Sequence, residues 1–590
     1  MKVFQKKIKD PFLNTKNTKS LSDQGISGMV FKQVMLRCFE TEQRQSLSMK
    51  LFLTPMAIAI LVAFASSLTA KEPIAIYSTS FEQTKPGIFK KYQDTSVRWV
   101  SKGKSEITRS YAHTGKQCLR IYGGKENTLE VTFHGALQNS RGISFKAERW
   151  TSKNPFKFRL VAQVNGNWKE VANLDQLVIT GRGFHSSITL KLPHEIIGGL
   201  RFIVTAPTKA GVLIDDLKLL KGVPENVTKL PKVCTDPIAH LLEKKDIFIS
   251  GTKNTHTFRI PAIITANNGD LIASCDARRN SSGDLIWVRD IDIVVRRSTD
   301  NGRTWGPMET VIDYGDKSVG KPASDPSLIL DRTTGEIFCF YNFMDQVKAP
   351  KEFRLHVQRS KDHGKTWSKP LDITDEIAKP SWKMDFKFIT SGRGIQRRNG
   401  DLLHTLVNLK NGLHLFGSKD HGKTWHFIDT PIKPANESKV IELADESLMI
   451  NSRLNGKGFR GVHRSDDNGK SWSYEMDTSQ VDPGCNGAVL RYTSVKDGYK
   501  KNRLLLVHSN SPRGRKNLVV KISYDEGKTW SKGKVIDPGP AAYSDITICK
   551  DGTIGVLYEP GYKAIRFTRF TLEDLTSGKD KLAISYKPAN

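Results

Sequence analysis

An eight-residue pattern, Ser-x-Asp-x-Gly-x-(Thr or Ser)-Trp, occurs five times in the second half of this 590-residue chain. The copies begin at Ser298, Ser360, Ser418, Ser465 and Ser523, so neighbouring starts lie 47 to 62 residues apart. Each copy follows a β-type run such as "DIVVRRS". The residue types have local reasons. The aspartate accepts backbone N–H groups and closes a tight turn, the glycine supplies a positive φ, and the tryptophan packs its ring between sheets. The aspartates Asp300, Asp362, Asp420, Asp467 and Asp525 therefore serve one shared turn and are read as structural. A repeat of this length matches one four-stranded blade, and a chain of such blades closes into a β-propeller. Residues 245–590 are assigned to it, and a six-bladed ring is expected.

The region before the propeller divides into several parts. Residues 71–222 carry short alternating runs ("EVTFHGAL", "FRLVAQVNG", "SSITLKL", "LRFIVTA", "VLIDDLKLL") between Gly, Asn and Pro turns, which predicts an all-β module of sandwich, jelly-roll type. Residues 223–244 hold Pro224, Pro231 and Pro237 and read as a linker. Upstream, Met49-Lys50, an apolar run to about Ala65 and the small-residue end at Ala70 have the order of a secretory signal peptide. The run is shorter than the ~20 residues a membrane span requires. Residues 1–48 are then an upstream extension, Met49 the start, and Lys71 the mature N-terminus. An exported protein, secreted or periplasmic and without an integral span, is expected, as is a monomer.

Seven cysteines are widely spaced and form no Cys-x-x-Cys pair, which argues against a disulfide framework and against a zinc site. Cys275, Cys339 and Cys549 fall in apolar strand-like runs and read as buried thiols. A net charge of +30 favours anionic partners such as acidic glycans or membrane surfaces, or simply a solvated basic surface. No basic helix or aromatic RNA-binding signature accompanies it, so nucleic acid is not expected as a partner.

Chemistry must reside in what the blades do not share. Phe258-Arg259-Ile260-Pro261 opens the first blade. This tetrapeptide followed by five Asp-box (BNR) repeats resembles the sialidase superfamily over roughly residues 245–570. The start "SFEQ" and the closing run of the module before it resemble accessory carbohydrate-binding modules. The sialidase resemblance implies an exo-α-sialidase, a glycoside hydrolase acting on sialylated glycoproteins, glycolipids or oligosaccharides, with no metal or organic cofactor. Three arginines hold the carboxylate of sialic acid in that family, because guanidinium forks pair bidentately with it. Arg259 and Arg453 match two of them. Arg513 and Arg515 compete for the third, and the Asn-Leu pair that follows selects Arg515.

A carboxylate nucleophile would be repelled by the substrate's own carboxylate, and sialidases use tyrosine instead. Tyr543 in "AAYSDITI" matches the nucleophile and Glu437 the base that takes its proton. Asp284, on the loop after Arg278, matches the general acid, with Asp290 as the fallback. Arg278 matches a further pocket arginine, with Arg279 its neighbouring alternative. Asp325 matches a residue that contacts the ring substituents. Glu559 matches the acid that braces Arg259. A two-step displacement implies retention of configuration. The same residues would serve a trans-sialidase or an intramolecular trans-sialidase. An enzyme for a related acidic nine-carbon sugar is a further alternative, and a glycan-binding Asp-box propeller without catalysis is the non-enzymatic one.

Overall fold

The computed structural model describes residues 73–583 apart from 94–95, 152, 179, 181–183, 185, 229–231 and 315–319. The extension, the signal segment and its cleavage point lie outside the described residues. Residues 243–570 form six β-sheets arranged as blades, antiparallel except where Gly392–Arg393 pairs in parallel with Ala323–Leu330. Blade one spans residues 257–312, blade two 323–372, blade three 387–432, blade four 438–481 and blade five 488–540. Blade six takes Ser544–Ile548, Ile554–Tyr558 and Ala564–Phe570 from the end of the chain, and its outermost strand, Glu243–Ile249, from before blade one. The ring is thereby closed by hydrogen bonds between segments more than 300 residues apart.

Each blade runs outward from an innermost strand, and successive strands alternate in direction. Starts of first and third strands therefore share one end of the ring with ends of second strands. The opposite end holds the turns after third strands. Ser298, Ser360, Ser418, Ser465 and Ser523 each end a third strand, so all five Asp-boxes lie on that opposite end.

The turns have the predicted chemistry. In the first, Ser298 Oγ donates to Asp300 Oδ1 at 2.8 Å, Thr304 N donates to the same oxygen at 2.8 Å, and Thr304 Oγ1 donates to Asp300 Oδ2 at 2.6 Å. Gly302 has φ 83° and faces the Phe567 ring, where a Cβ would collide. The preceding residue is left-handed too, at Asn301, His363, His421, Asn468 and Glu526, with φ between 58° and 61°. Trp305 meets Phe567 edge-on at 5.2 Å, and Trp425 meets Phe338 at 5.5 Å, so the turn tryptophans pack against neighbouring blades.

The region before the propeller is all β, as its alternating runs predict. The pairing runs through a single nine-stranded sheet. The runs "LRFIVTA" and "VLIDDLKLL", expected as separate strands, belong to one 24-residue strand, Ile197–Leu220. Its first half pairs with Lys157–Val164 and its second half with Gly142–Arg149, so one strand joins what would otherwise be two sheets. Trp99, Phe133, Phe158, Phe202 and Ile214 lie in the core this sheet wraps. Residues 72–590 form one compact unit. The expected linker is tied to the propeller: Ile238 packs against the core of blades five and six, and Cys234 N donates to Asn510 Oδ1 at 2.6 Å. The six described cysteines are buried and unbridged. No helix among the described residues is long and apolar enough to cross a membrane.

Candidate active site

All nine residues singled out from the sequence lie at the end of the ring opposite the Asp-boxes. Arg259 and Asp325 sit near the starts of the innermost strands Thr257–Thr265 and Ala323–Leu330. Glu437 and Tyr543 immediately precede the innermost strands of blades four and six. Arg278 and Arg453 end second strands, Glu559 follows one, and Arg515 precedes a third strand. Strand polarity alone thus delivers residues from five blades to one face.

The centre of the cluster is Tyr543. Its hydroxyl lies 2.7 and 2.8 Å from the two oxygens of Glu437 and accepts a hydrogen bond from Arg453 Nη1 at 3.0 Å. Arg453 Nη1 also pairs with Glu437 Oε2. Burial, and then the negative charge of Glu437, push the Tyr543 phenol well above its ordinary value of 10. It is therefore neutral at rest, with a proton acceptor already in contact. The Arg259 and Arg515 guanidinium groups lie 5.7 and 5.2 Å from the Tyr543 ring centroid. Three cationic forks therefore converge around one phenol, the arrangement needed to hold a carboxylate beside a nucleophile.

Each arginine is secured differently. Arg259 Nε donates to Glu559 Oε1 at 2.8 Å, and Glu559 is fully buried. The same carboxylate accepts from Ile260 N at 2.7 Å and from Tyr543 N at 3.4 Å, so it fixes Arg259 and Tyr543 together. Burial opposes the charge of Arg259, and Glu559 outweighs it, raising the arginine's pKa. At Arg453 burial likewise opposes the charge and Glu437 outweighs it. Arg515 has no carboxylate partner among the described residues, which leaves its fork available to a ligand. Arg513 is turned away: its Nη2 donates to Val178 O and its guanidinium lies 5.4 Å from the Phe156 centroid. Of the two candidates, Arg515 is the one at the cluster.

Asp284 and Arg278 form a second group. Arg278 Nη1 donates to Asp284 Oδ1 at 2.7 Å and to Gly283 O at 2.6 Å, while Nε and Nη2 hold Asp276 Oδ2 at 3.1 and 3.0 Å. The Asp284 side chain is 73% exposed. Burial raises its pKa and Arg278 more than reverses this, so in this conformation Asp284 is held as an ionised carboxylate. The alternatives separate clearly. Arg279 pairs with Asp292 at 2.6 Å and with Thr255, and Asp290 titrates against Arg279 and Asp313. Asp325 accepts from Asn342 Nδ2 at 3.0 Å, and burial together with Asp276 and Glu437 raises its pKa.

Several site residues carry no motif. Asp276 is fully buried and accepts from Arg278, from Ser324 Oγ at 2.7 Å and from Asp325 N at 2.9 Å, so it ties blades one and two together. A lone aspartate in the apolar strand "LIASCDAR" is the sequence signal that marks it. Tyr562 lies under Arg259, 4.4 Å from guanidinium carbon to ring centroid. Trp287 is 77% exposed, and its N–H donates to Asp284 O at 2.7 Å, so it travels with the Asp284 loop.

One face of the propeller thus gathers arginines, a tyrosine–glutamate pair and a loop aspartate. Residues 288–556 match the model of the BNR repeat-like domain. The chain is 32% identical over 355 residues to a sialidase of Micromonospora viridifaciens, covering 56% of this chain and 54% of that protein. It is 30% identical over 353 residues to a sialidase of Bacteroides fragilis, covering 55% and 64%. The chain thus spans between half and two-thirds of the length of these curated relatives. Among solved structures, the Hadza microbial sialidase Hz136 aligns over 80% of this chain and 98% of its own, at 22% identity and a TM-score of 0.52, a likeness of fold. Over its propeller the chain is thus similar to bacterial sialidases and to proteins that carry BNR repeats.

Proposed function

We propose that this chain is an exo-α-sialidase that removes terminal α-linked sialic acid from glycoconjugates with retention of configuration. The observation that carries the reading is the Tyr543–Glu437 contact at 2.7 Å beneath the converging forks of Arg259, Arg453 and Arg515. In this scheme the three arginines bind the sugar's carboxylate. Tyr543 attacks the anomeric carbon while its proton passes to Glu437, which forms a covalent tyrosyl intermediate. Asp284 gives a proton to the departing glycan oxygen. In the second step Asp284, now ionised, takes a proton from water as the water oxygen bonds to the anomeric carbon; the bond to Tyr543 breaks and its oxygen takes its proton back from Glu437, which releases free sialic acid and regenerates both residues.

The resting ion pair between Arg278 and Asp284 has a consequence for this scheme. A carboxylate held ionised cannot donate, so the acid role belongs to a substrate-bound state in which the pair has opened and the leaving oxygen has taken the place of Arg278. The exposed loop position of Asp284 supports that exchange. Asp325 and Arg278 would face the ring substituents. The segment from Met49 to Ala70 supports export of the protein to where sialylated glycans lie.

The test is hydrolysis of a fluorogenic α-sialoside and analysis of the products. The expected result is fluorophore release with free sialic acid as the sugar product, strongly reduced in Arg259→Ala. Absence of release from the wild-type protein contradicts the enzymatic reading. Transfer to lactose, or an anhydro sugar as product, would assign a trans-sialidase instead.

A further inference from the structure

A cleft of about 1350 Å³ lies where the nine-stranded module meets blades four and five. Arg149, Phe156, Asp175 and Thr180 line it from the module. From the propeller come Gly456 and Gly458, on the loop just after Arg453, and Arg513 and Gly514, just before Arg515. The two loops that end on active-site arginines thus form a wall of this cleft.

Its charge is unusual. The guanidinium groups of Arg149 and Arg513 lie 4.1 and 5.4 Å from the centroid of the same Phe156 ring. Arg513 donates to Val178 O, and Arg149 Nη2 donates to Lys153 O at 2.7 Å, so both arginines are oriented by main-chain carbonyls. Asp175 is the single carboxylate among the described lining residues; its Oδ1 accepts from Phe158 N at 2.5 Å, and its one negative charge is shared by both arginines. Burial, then the neighbouring charge of Arg149, depress Arg513 to about 10. The Nε of Arg513 is buried with no hydrogen-bond partner. Two forks held side by side in a partly desolvated cleft repel each other, and an incoming oxyanion would relieve that repulsion and receive charge-assisted hydrogen bonds.

We propose that this cleft is a second glycan site, in which Arg149 and Arg513 take the carboxylate or sulfate of an acidic oligosaccharide. The ligand class rests on the sialoside reading of the propeller. A glycan held there would raise the local concentration of acidic termini beside the catalytic face.

Calorimetric titration of the full chain carrying Arg259→Ala, which weakens the propeller site, tests this. The probes are 3′-sialyllactose, lactose 3′-sulfate, lactose and inorganic sulfate. The expected result is one-site binding of either or both acidic sugars, no binding of lactose, inorganic sulfate at least tenfold weaker, and a loss of tenfold or more in affinity when Arg513→Gln is added. Arg149→Lys, which keeps the charge and loses the fork, serves as a second variant with the same expected direction. No binding of either acidic sugar, equal binding of lactose, inorganic sulfate matching the sugars, or indifference to both arginine changes would overturn the proposal. The two readings fail separately: failed hydrolysis by the wild type bears on the propeller, and failed binding by Arg259→Ala bears on the cleft.

Discussion

Tyr543 is surrounded by groups from four blades, and each affects its reactivity differently. Glu437 from blade four accepts its hydrogen bond, Arg453 from the same blade donates to its oxygen, and Glu559 from blade six fixes its backbone. Removing the hydroxyl leaves the arginines in place. We expect Tyr543→Phe to lower kcat on a fluorogenic sialoside by about 10²–10⁴-fold, the usual span for a lost catalytic group, with KM little changed. Glu559→Gln should behave differently. It removes the charge that offsets Arg259 in a buried pair, which costs about 3–5 kcal/mol. A lowered thermal midpoint together with a raised KM is the expected signature. Trp287 rides on the Asp284 loop with its ring exposed. Trp287→Ala should reduce kcat/KM on 3′-sialyllactose, because the ring offers an apolar face to the departing sugar beside Asp284.

At the scale of the element, the Asp-box determines stability at acid pH. At Asp300 and Asp362 burial pushes the carboxyl up and hydrogen bonds from the turn outweigh it, at Asp467 the hydrogen bonds lead, and each is brought down to about 2. An unfolded carboxyl titrates near ~3.9, so between the two values the unfolded chain binds more protons. The turns' contribution is therefore fully present above about pH 4 and lost as pH falls toward 2. Urea midpoints measured across that range should fall, and Asp300→Asn should shrink the slope. These turns were the most legible part of the sequence because their chemistry is local. The same holds for Arg259, whose tetrapeptide opens a strand. Asp276 stands out in the sequence only as a lone carboxylate in an apolar strand: its partners Ser324 and Asp325 lie 48 and 49 residues away, and only the packing of blade one on blade two brings them together. Arg513 and Arg515 were ambiguous for the related reason that direction, not spacing, separates them. The 24-residue strand reads as two runs because Pro207 and Gly211 interrupt the apolar alternation, and there the register with Cys118–Phe133 shifts between Ala206 and Gly211 before pairing resumes.

The propeller is a ring closed by one noncovalent seam. Ala564–Phe570 pairs with Ile554–Tyr558 on one side and Glu243–Ile249 on the other. Deleting residues 564–590 removes the strand between them and leaves two unpaired sheet edges. We expect that truncation to abolish the cooperative thermal transition seen by circular dichroism in the intact chain. The closed ring matters for chemistry because the site draws on blades one, two, four, five and six. No single blade holds a complete acid, nucleophile and carboxylate clamp.

The central claim is that Tyr543 bonds covalently to the sugar. Reaction with a sialosyl fluoride bearing fluorine beside the anomeric carbon slows turnover of the intermediate, and peptide mapping by mass spectrometry then locates the adduct. The account predicts a single added sialosyl mass on the peptide containing Tyr543, absent in Tyr543→Phe. An adduct on another residue, or continued turnover by Tyr543→Phe at the wild-type rate, would contradict it.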